Sequence, residues 1–142
     1  MELITRDVKQ NIEKAQEIQQ VTFDDDYVIK DNKPDVQKII CQTGMVKTDD
    51  IKQTGETIWV TGNIEFEVLY KSDDEGEKVE TIKDLIPFQE KITLDGVENS
   101  DNIRVYAKIN DLSAGIINSR KISVRGLIDL EVYVETEGVT AI

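Results

Sequence analysis

The sequence predicts a mainly β protein, an antiparallel β-sandwich or partial barrel, with a short helix near 33–41 and an N-terminal segment that reads either as a helix or as a strand. Three observations lead there. Residues 57–70 alternate, with Ile58, Val60, Ile64, Phe66, Val68 and Tyr70 on one face and Trp59, Thr61, Asn63, Glu65 and Glu67 on the other. A period of two means a strand with one face in a core. Residues 121–134 alternate likewise, Ile122, Val124, Ile128, Leu130, Val132 and Val134 against Lys121, Ser123, Arg125, Asp129 and Glu131. Each of these strands carries a glycine near its middle, Gly62 and Gly126, which suits a strand that bends or that meets another backbone closely.

The remaining elements follow in chain order. Val8, Ile12, Ala15 and Ile18 fall at 4-3-3 spacing among Glu, Lys and Gln, which favours a helix over about residues 6–19. Residues 20–29 look extended instead, and a β-rich fold has room for the whole stretch as a strand. Pro34 and Asp35 suit the first turn of a helix, and Val36, Ile39 and Ile40 would form its buried stripe. Residues 45–51 read as a strand leading to a turn at Gln53-Thr54-Gly55-Glu56. The acidic run 72–77 reads as a hairpin loop with Gly76 at positive φ. Residues 79–85 and 88–94 read as two strands, with Pro87 breaking or bending the chain between them. Asp95-Gly96 and Asn118-Ser119 mark turns on either side of a strand over 103–110.

A chain of 142 residues is one domain by length. Residues 1–29 are expected to pack on the sheet as an N-terminal segment, 30–136 to form the β domain, and 137–142 to be a tail or the start of a linker. The apolar C-terminal residues suggest a domain boundary within a longer protein.

Composition excludes much chemistry. There is no histidine and one cysteine, so no histidine triad, histidine zinc site or internal disulfide can be built. Cys41 follows Ile39 and Ile40 and is expected to be a buried free thiol. The eight glycines are dispersed and form no phosphate-binding loop. Lys and Arg total 17 against 29 Asp and Glu, a net charge of −12. That balance opposes nucleic acid and anionic lipid. No apolar run reaches the ~18–20 residues of a membrane helix, and the first residues lack the cationic and apolar regions of a secretion signal. The acidic runs Asp24-Asp25-Asp26 and Asp73-Asp74-Glu75 lack the spacing of a calcium loop and read as solvated turns. Trp59, on the outward face of its strand, is either covered by the N-terminal segment or a contact for a partner.

Three stretches together resemble a known family. Residues 26–39, with Lys33-Pro34-Asp35 at their centre, residues 62–70 (Gly-Asn-Ile-Glu-Phe-Glu-Val-Leu-Tyr) and residues 118–125, opening Asn118-Ser119-Arg120, are similar in order and spacing to the SPOCS domain of clostridial sporulation proteins. The resemblance implies a non-enzymatic structural role in coat or exosporium assembly at the endospore surface. The chain would be made in the mother cell and would act with other spore-coat or exosporium proteins, or with copies of itself. It implies no cofactor, metal or catalytic residue. Some relatives carry further SPOCS copies and a LysM module; this sequence shows no LysM segment, so peptidoglycan binding through one is not expected of it. The motif residues Lys33, Pro34, Asp35, Asn118, Ser119 and Arg120 read as structural, with Arg120 expected to pair with Asp35 or Asp31. The rival reading is a β module that binds a cell-wall glycan or a divalent cation.

Overall fold

Strict alternation makes Thr57–Ser72 and Lys121–Ala141 the central strands of two sheets. The computed structural model describes residues 7–72, 76 and 78–141. Six strands follow one another: β1 (Asp7–Val28), β2 (Val36–Thr54), β3 (Thr57–Ser72), β4 (Val79–Thr93), β5 (Asn102–Asn118) and β6 (Lys121–Ala141). They form two three-stranded sheets, sheet I in the order β1-β6-β5 and sheet II in the order β2-β3-β4, with every pairing antiparallel. The even-numbered residues of β3 and those of β6 up to Val134 face each other across a shared core, where Ile58, Val60, Ile64, Val68, Ile122, Ile128, Leu130 and Val132 are fully buried. At one side of the sandwich Gln42 Nε2 donates to the Leu112 carbonyl at 3.4 Å, linking β2 to β5. At the other, Tyr27 meets Phe66 edge-on at 6.2 Å, and Gln19 Nε2 donates to Glu90 Oε2 at 2.9 Å, linking β1 to β4. The sheets share no hydrogen-bonded ladder, so the barrel is not closed.

The expected helix near 33–41 does not form, and the N-terminal segment, read as either helix or strand, is a strand over Asp7–Val28. No helix occurs among the described residues. Residues 30–35 form a loop, and β2 begins at Val36. β-Bulges explain the deceptive spacing. Register shifts between Val36 and Lys38 and between Ile39 and Cys41 each insert an extra residue into β2. Val36 and Ile39, three apart, therefore both face inward, while Ile40 is itself a bulge residue and lies exposed. A bulge changes the phase of a period of two and so imitates helical spacing. In β1 the shift between Glu13 and Ala15 puts Ile12, opposite Thr136, on the same face as Ala15, opposite Val134; Ala15 packs against the core, Ile12 is exposed, and Ile18, opposite Glu131, points outward. Val8 lies where only the backbone is described.

Other boundaries moved. Residues 137–141, expected as tail or linker, continue β6. Pro87 does not divide two strands; it sits within β4 opposite Asn63. A proline lacks the N–H of a ladder bond, and β4 tolerates one because it is an edge strand. β5 runs past Asn110 to Asn118, the Ile109/Asp111 bulge keeping Leu112 and Ala114 on the core side. The hairpin loop and the Asp95 turn place Gly76 and Gly96 at φ 98° and 81°; the acidic residues 73–75 lie outside the described residues.

The two sheets repeat one design. Ile58-x-Val60-x-Gly62-x-Ile64 in β3 is matched by Ile122-x-Val124-x-Gly126-x-Ile128 in β6. A Cβ on Gly62 would lie 2.2 Å from the Lys47 carbonyl oxygen and 2.8 Å from Phe88 Cζ; one on Gly126 would lie 2.0 Å from the Asp111 carbonyl oxygen and 2.9 Å from Phe23 Cζ. Each central glycine thus admits a neighbouring backbone on one side and an aromatic ring on the other. The chain consists of two three-strand repeats, β1–β3 and β4–β6, that exchange first strands: β1 joins the hairpin of the second repeat and β4 that of the first.

Candidate functional site

The two motifs singled out in the sequence meet at one end of the sandwich. Asn118 Oδ1 accepts the Arg120 N–H at 2.8 Å, which closes the β5–β6 turn. The turn then takes hold of the loop between β1 and β2. Backbone bonds run from Ile29 N–H to the Arg120 carbonyl at 2.8 Å and from Val36 N–H to the Ser119 carbonyl at 2.9 Å. The Arg120 guanidinium reaches the carbonyls of Ile29 (3.2 Å), Lys30 (2.8 Å) and Lys33 (2.6 Å) and the Asp35 carboxylate (3.1 Å). Only arginine carries enough rigidly placed donors for this. The Pro34 carbonyl accepts from Tyr70 Oη at 2.9 Å. The Lys33 ammonium donates to the Thr81 carbonyl and stands 3.9 Å from Glu80. Lys33, Pro34, Asp35, Asn118, Ser119 and Arg120 therefore form one clasp that closes the crossing from sheet I to sheet II.

Trp59 lies elsewhere, on the outer face of sheet II. Residues 7–28 do not cover it, because they are β1 in the other sheet; residues 1–6 lie outside the described residues. Lys91 Nζ lies 5.7 Å from the indole centre, and Trp59 remains 37% exposed. Cys41 shares this outer face, opposite Leu69, and is exposed rather than buried, since the bulge before it turns its side chain outward.

The outer faces differ in charge. Cross-strand register puts Lys38, Lys47, Lys52, Lys71, Lys83 and Lys91 on the outside of sheet II with Asp49, Asp50, Glu65 and Glu67. Lys47 pairs with Glu65 at 3.1 Å, Lys52 with Asp50 at 3.8 Å and Lys83 with Glu67 at 3.8 Å, so lysine is in excess. The outside of sheet I carries Glu13, Asp24, Asp26, Asp111, Asp129, Glu131 and Glu135 against Arg104, Lys108, Lys121 and Arg125, so acid is in excess.

Relief differs as well. Sheet II bears a groove of about 630 Å³ between two rows of outward side chains, Thr43–Glu67–Lys83 and Met45–Glu65–Leu85, with the backbone of Gly44, Phe66 and Asp84 as its floor. The corresponding rows of sheet I are Tyr106–Glu131–Ile18 and Lys108–Asp129–Gln20. Tyr106 and Ile18 stand exposed as a ridge, with Tyr133 edge-on to Tyr106 at 5.6 Å. Burial raises the pKa of the Tyr133 hydroxyl, and the neighbouring Glu131 carboxylate adds to the effect. The hydrogen bond to Glu131 raises that of Lys108. Asp129 is buried with both oxygens engaged, by Gln20 Nε2 at 3.2 Å and Asn110 Nδ2 at 3.0 Å.

Among the described residues no three acidic or cysteine side chains gather into a metal-holding group. Asp24, Asp25 and Asp26 point to alternate faces of β1 rather than converging in a turn. No helix of the described residues is long and apolar enough to cross a membrane.

An acidic two-sheet β module with mixed, partly apolar outer faces and a motif-built clasp is thereby defined. Residues 35–117, more than half of the chain, match the family model described as SipL, SPOCS domain, and the chain belongs to that family. It is a sporulation-related protein. No curated protein and no solved structure matches it.

Proposed function

We propose that the chain is a non-enzymatic structural domain of a spore-surface protein, in coat or exosporium, and that it acts through protein–protein contacts. The character of its outer faces carries the reading. Met45, Trp59 and Leu85 on sheet II and Ile18 and Tyr106 on sheet I are exposed apolar side chains set among charges, the composition of a contact surface. The groove on sheet II opens broadly, and the charged groups on its walls are engaged as Lys47–Glu65 and Lys83–Glu67 pairs. A small-ligand site would instead aim its polar groups into a concave, enclosed space. Membership of a sporulation family supports the setting, and a chain without histidine lacks the usual general base.

A fluorescent fusion of the full chain in a sporulating bacterium tests this. The expected pattern is a ring at the forespore surface; diffuse mother-cell fluorescence overturns the proposal. Calcium and soluble peptidoglycan fragments should leave the melting temperature of the purified protein within about 1 °C, whereas a saturable rise would favour a ligand-binding module.

A further inference from the structure

We propose that copies of this chain stack head to tail, with the lysine-rich outer face of sheet II seated on the acidic outer face of sheet I of the next copy. This rests on the assembly role proposed above and names the partner and the surfaces.

Charge is the first argument. The chain carries a net −12, yet the outside of sheet II has more lysines than acids. That face is suited to an acidic surface, and the outer face of sheet I is one on the same molecule. Where the two faces correspond through the internal repeat, Lys47, Lys71 and Lys91 are matched by acids, whereas Glu65 and Glu67 match Asp129 and Glu131 and keep their sign. Lys91 opposite Trp59 corresponds to Asp26 opposite Ser123, and Lys71 corresponds to Glu135. Pairing sheet II with sheet II would set lysines against lysines, which costs affinity.

Relief is the second argument. In the row where sheet II has Thr43 and Lys83 at the wall of its groove, sheet I has Tyr106 and Ile18 as a ridge. The groove, with Met45 and Leu85 on its far wall, has room for an exposed tyrosine and isoleucine, and tyrosine is enriched at the centres of interfaces. Extent is the third. Three strands ~4.8 Å apart and ~15 residues long at ~3.3 Å per residue present roughly 700 Å², close to the ~800 Å² a partner contributes to a standard interface. The faces lie on opposite sides of the sandwich, so every copy that docks through one leaves the other free. Such a contact is heterologous and propagates without closing unless the rotation forms a ring.

Sedimentation velocity and light scattering on the full chain test the stacking. In low salt, ~20 mM, the mean mass should rise with concentration beyond that of a dimer, and in ~500 mM salt it should return to the monomer, because the screening length shortens severalfold. Lys52→Glu with Lys91→Glu disables one face, and Asp24→Lys with Asp26→Lys the other; circular dichroism and melting confirm that each variant is folded. Each variant alone should remain monomeric, and an equimolar mixture should associate, through the two intact faces and through the two reversed ones, whose charges are again opposite. Tyr106→Ala, which leaves the charges in place, should weaken association at least about tenfold, as expected of a central interface tyrosine. The proposal is overturned by a wild type that stays monomeric to ~1 mM in low salt, by one that stops at a dimer, or by a mixture that fails to pair. Should stacking fail while the forespore ring persists, the structural role stands with another partner; loss of the ring in wild type removes that role itself.

Discussion

Arg120 Nη1 lies 3.1 Å from Asp35 Oδ1 across a separation of 85 residues, and through this pair the last hairpin of the chain grips the crossing between its first two strands. The pair is partly exposed, with side chains 35% and 47% accessible, so its charge attraction alone contributes little. The three backbone carbonyls on the same guanidinium give the clasp its strength.

Replacing Arg120 tests that statement. Arg120→Ala should lower stability in urea by about 2–3 kcal/mol, from the loss of several charge-assisted bonds. Arg120→Lys should recover only a minor part, since one ammonium cannot span the four acceptors. Asp35→Asn, which removes the ion pair and keeps the carbonyl contacts, should cost under about 1 kcal/mol. Equal effects of Arg120→Ala and Asp35→Asn would show that the carbonyls contribute nothing.

The repeat predicts matched behaviour at paired positions. Gly62→Ala and Gly126→Ala each drive a Cβ into a neighbouring carbonyl oxygen, and each should cost about 3 kcal/mol or more. Phe88→Ala and Phe23→Ala, which uncover those glycines, should each cost about 2–4 kcal/mol. Thermal melts showing one member of either pair to be neutral would contradict the correspondence.

Acid should loosen the join between β1 and the β4–β5 loop. The Glu98 N–H bond and the Lys14 ammonium at 2.7 Å lower the Asp101 pKa. A lowered carboxylate pKa contributes stability that is complete above the ordinary value and is lost as pH falls through the lowered one. The melting temperature of wild type should therefore drop below about pH 4, and Asp101→Asn should lose part of that dependence. An unchanged pH profile in the variant would exclude Asp101 as a contributor.

Cys41 should react with a thiol reagent in the native protein, because it stands exposed on sheet II. Native and urea-unfolded rates should agree within about tenfold. Complete protection in the folded monomer would contradict the outward turn of the Ile39/Cys41 bulge.

The sequence by itself determined the β class and the two central strands with their glycines, because alternation is a local property of the chain. The match between Ile58-x-Val60-x-Gly62-x-Ile64 and Ile122-x-Val124-x-Gly126-x-Ile128 is too short to mark a repeat until the two strands are seen to hold the same place in their sheets. Only the tertiary structure decided β1, the start of β2, and which strand joins which sheet. Between Val36 and Ile39, as between Ile12 and Ala15, a bulge adds one residue to a period of two, and the spacing of three on one face is the same as that of a helix until a partner strand fixes the register. Likewise the lysines of β2, β3 and β4 are scattered through an acidic chain and become one surface only when cross-strand pairing brings their alternate positions to the same side.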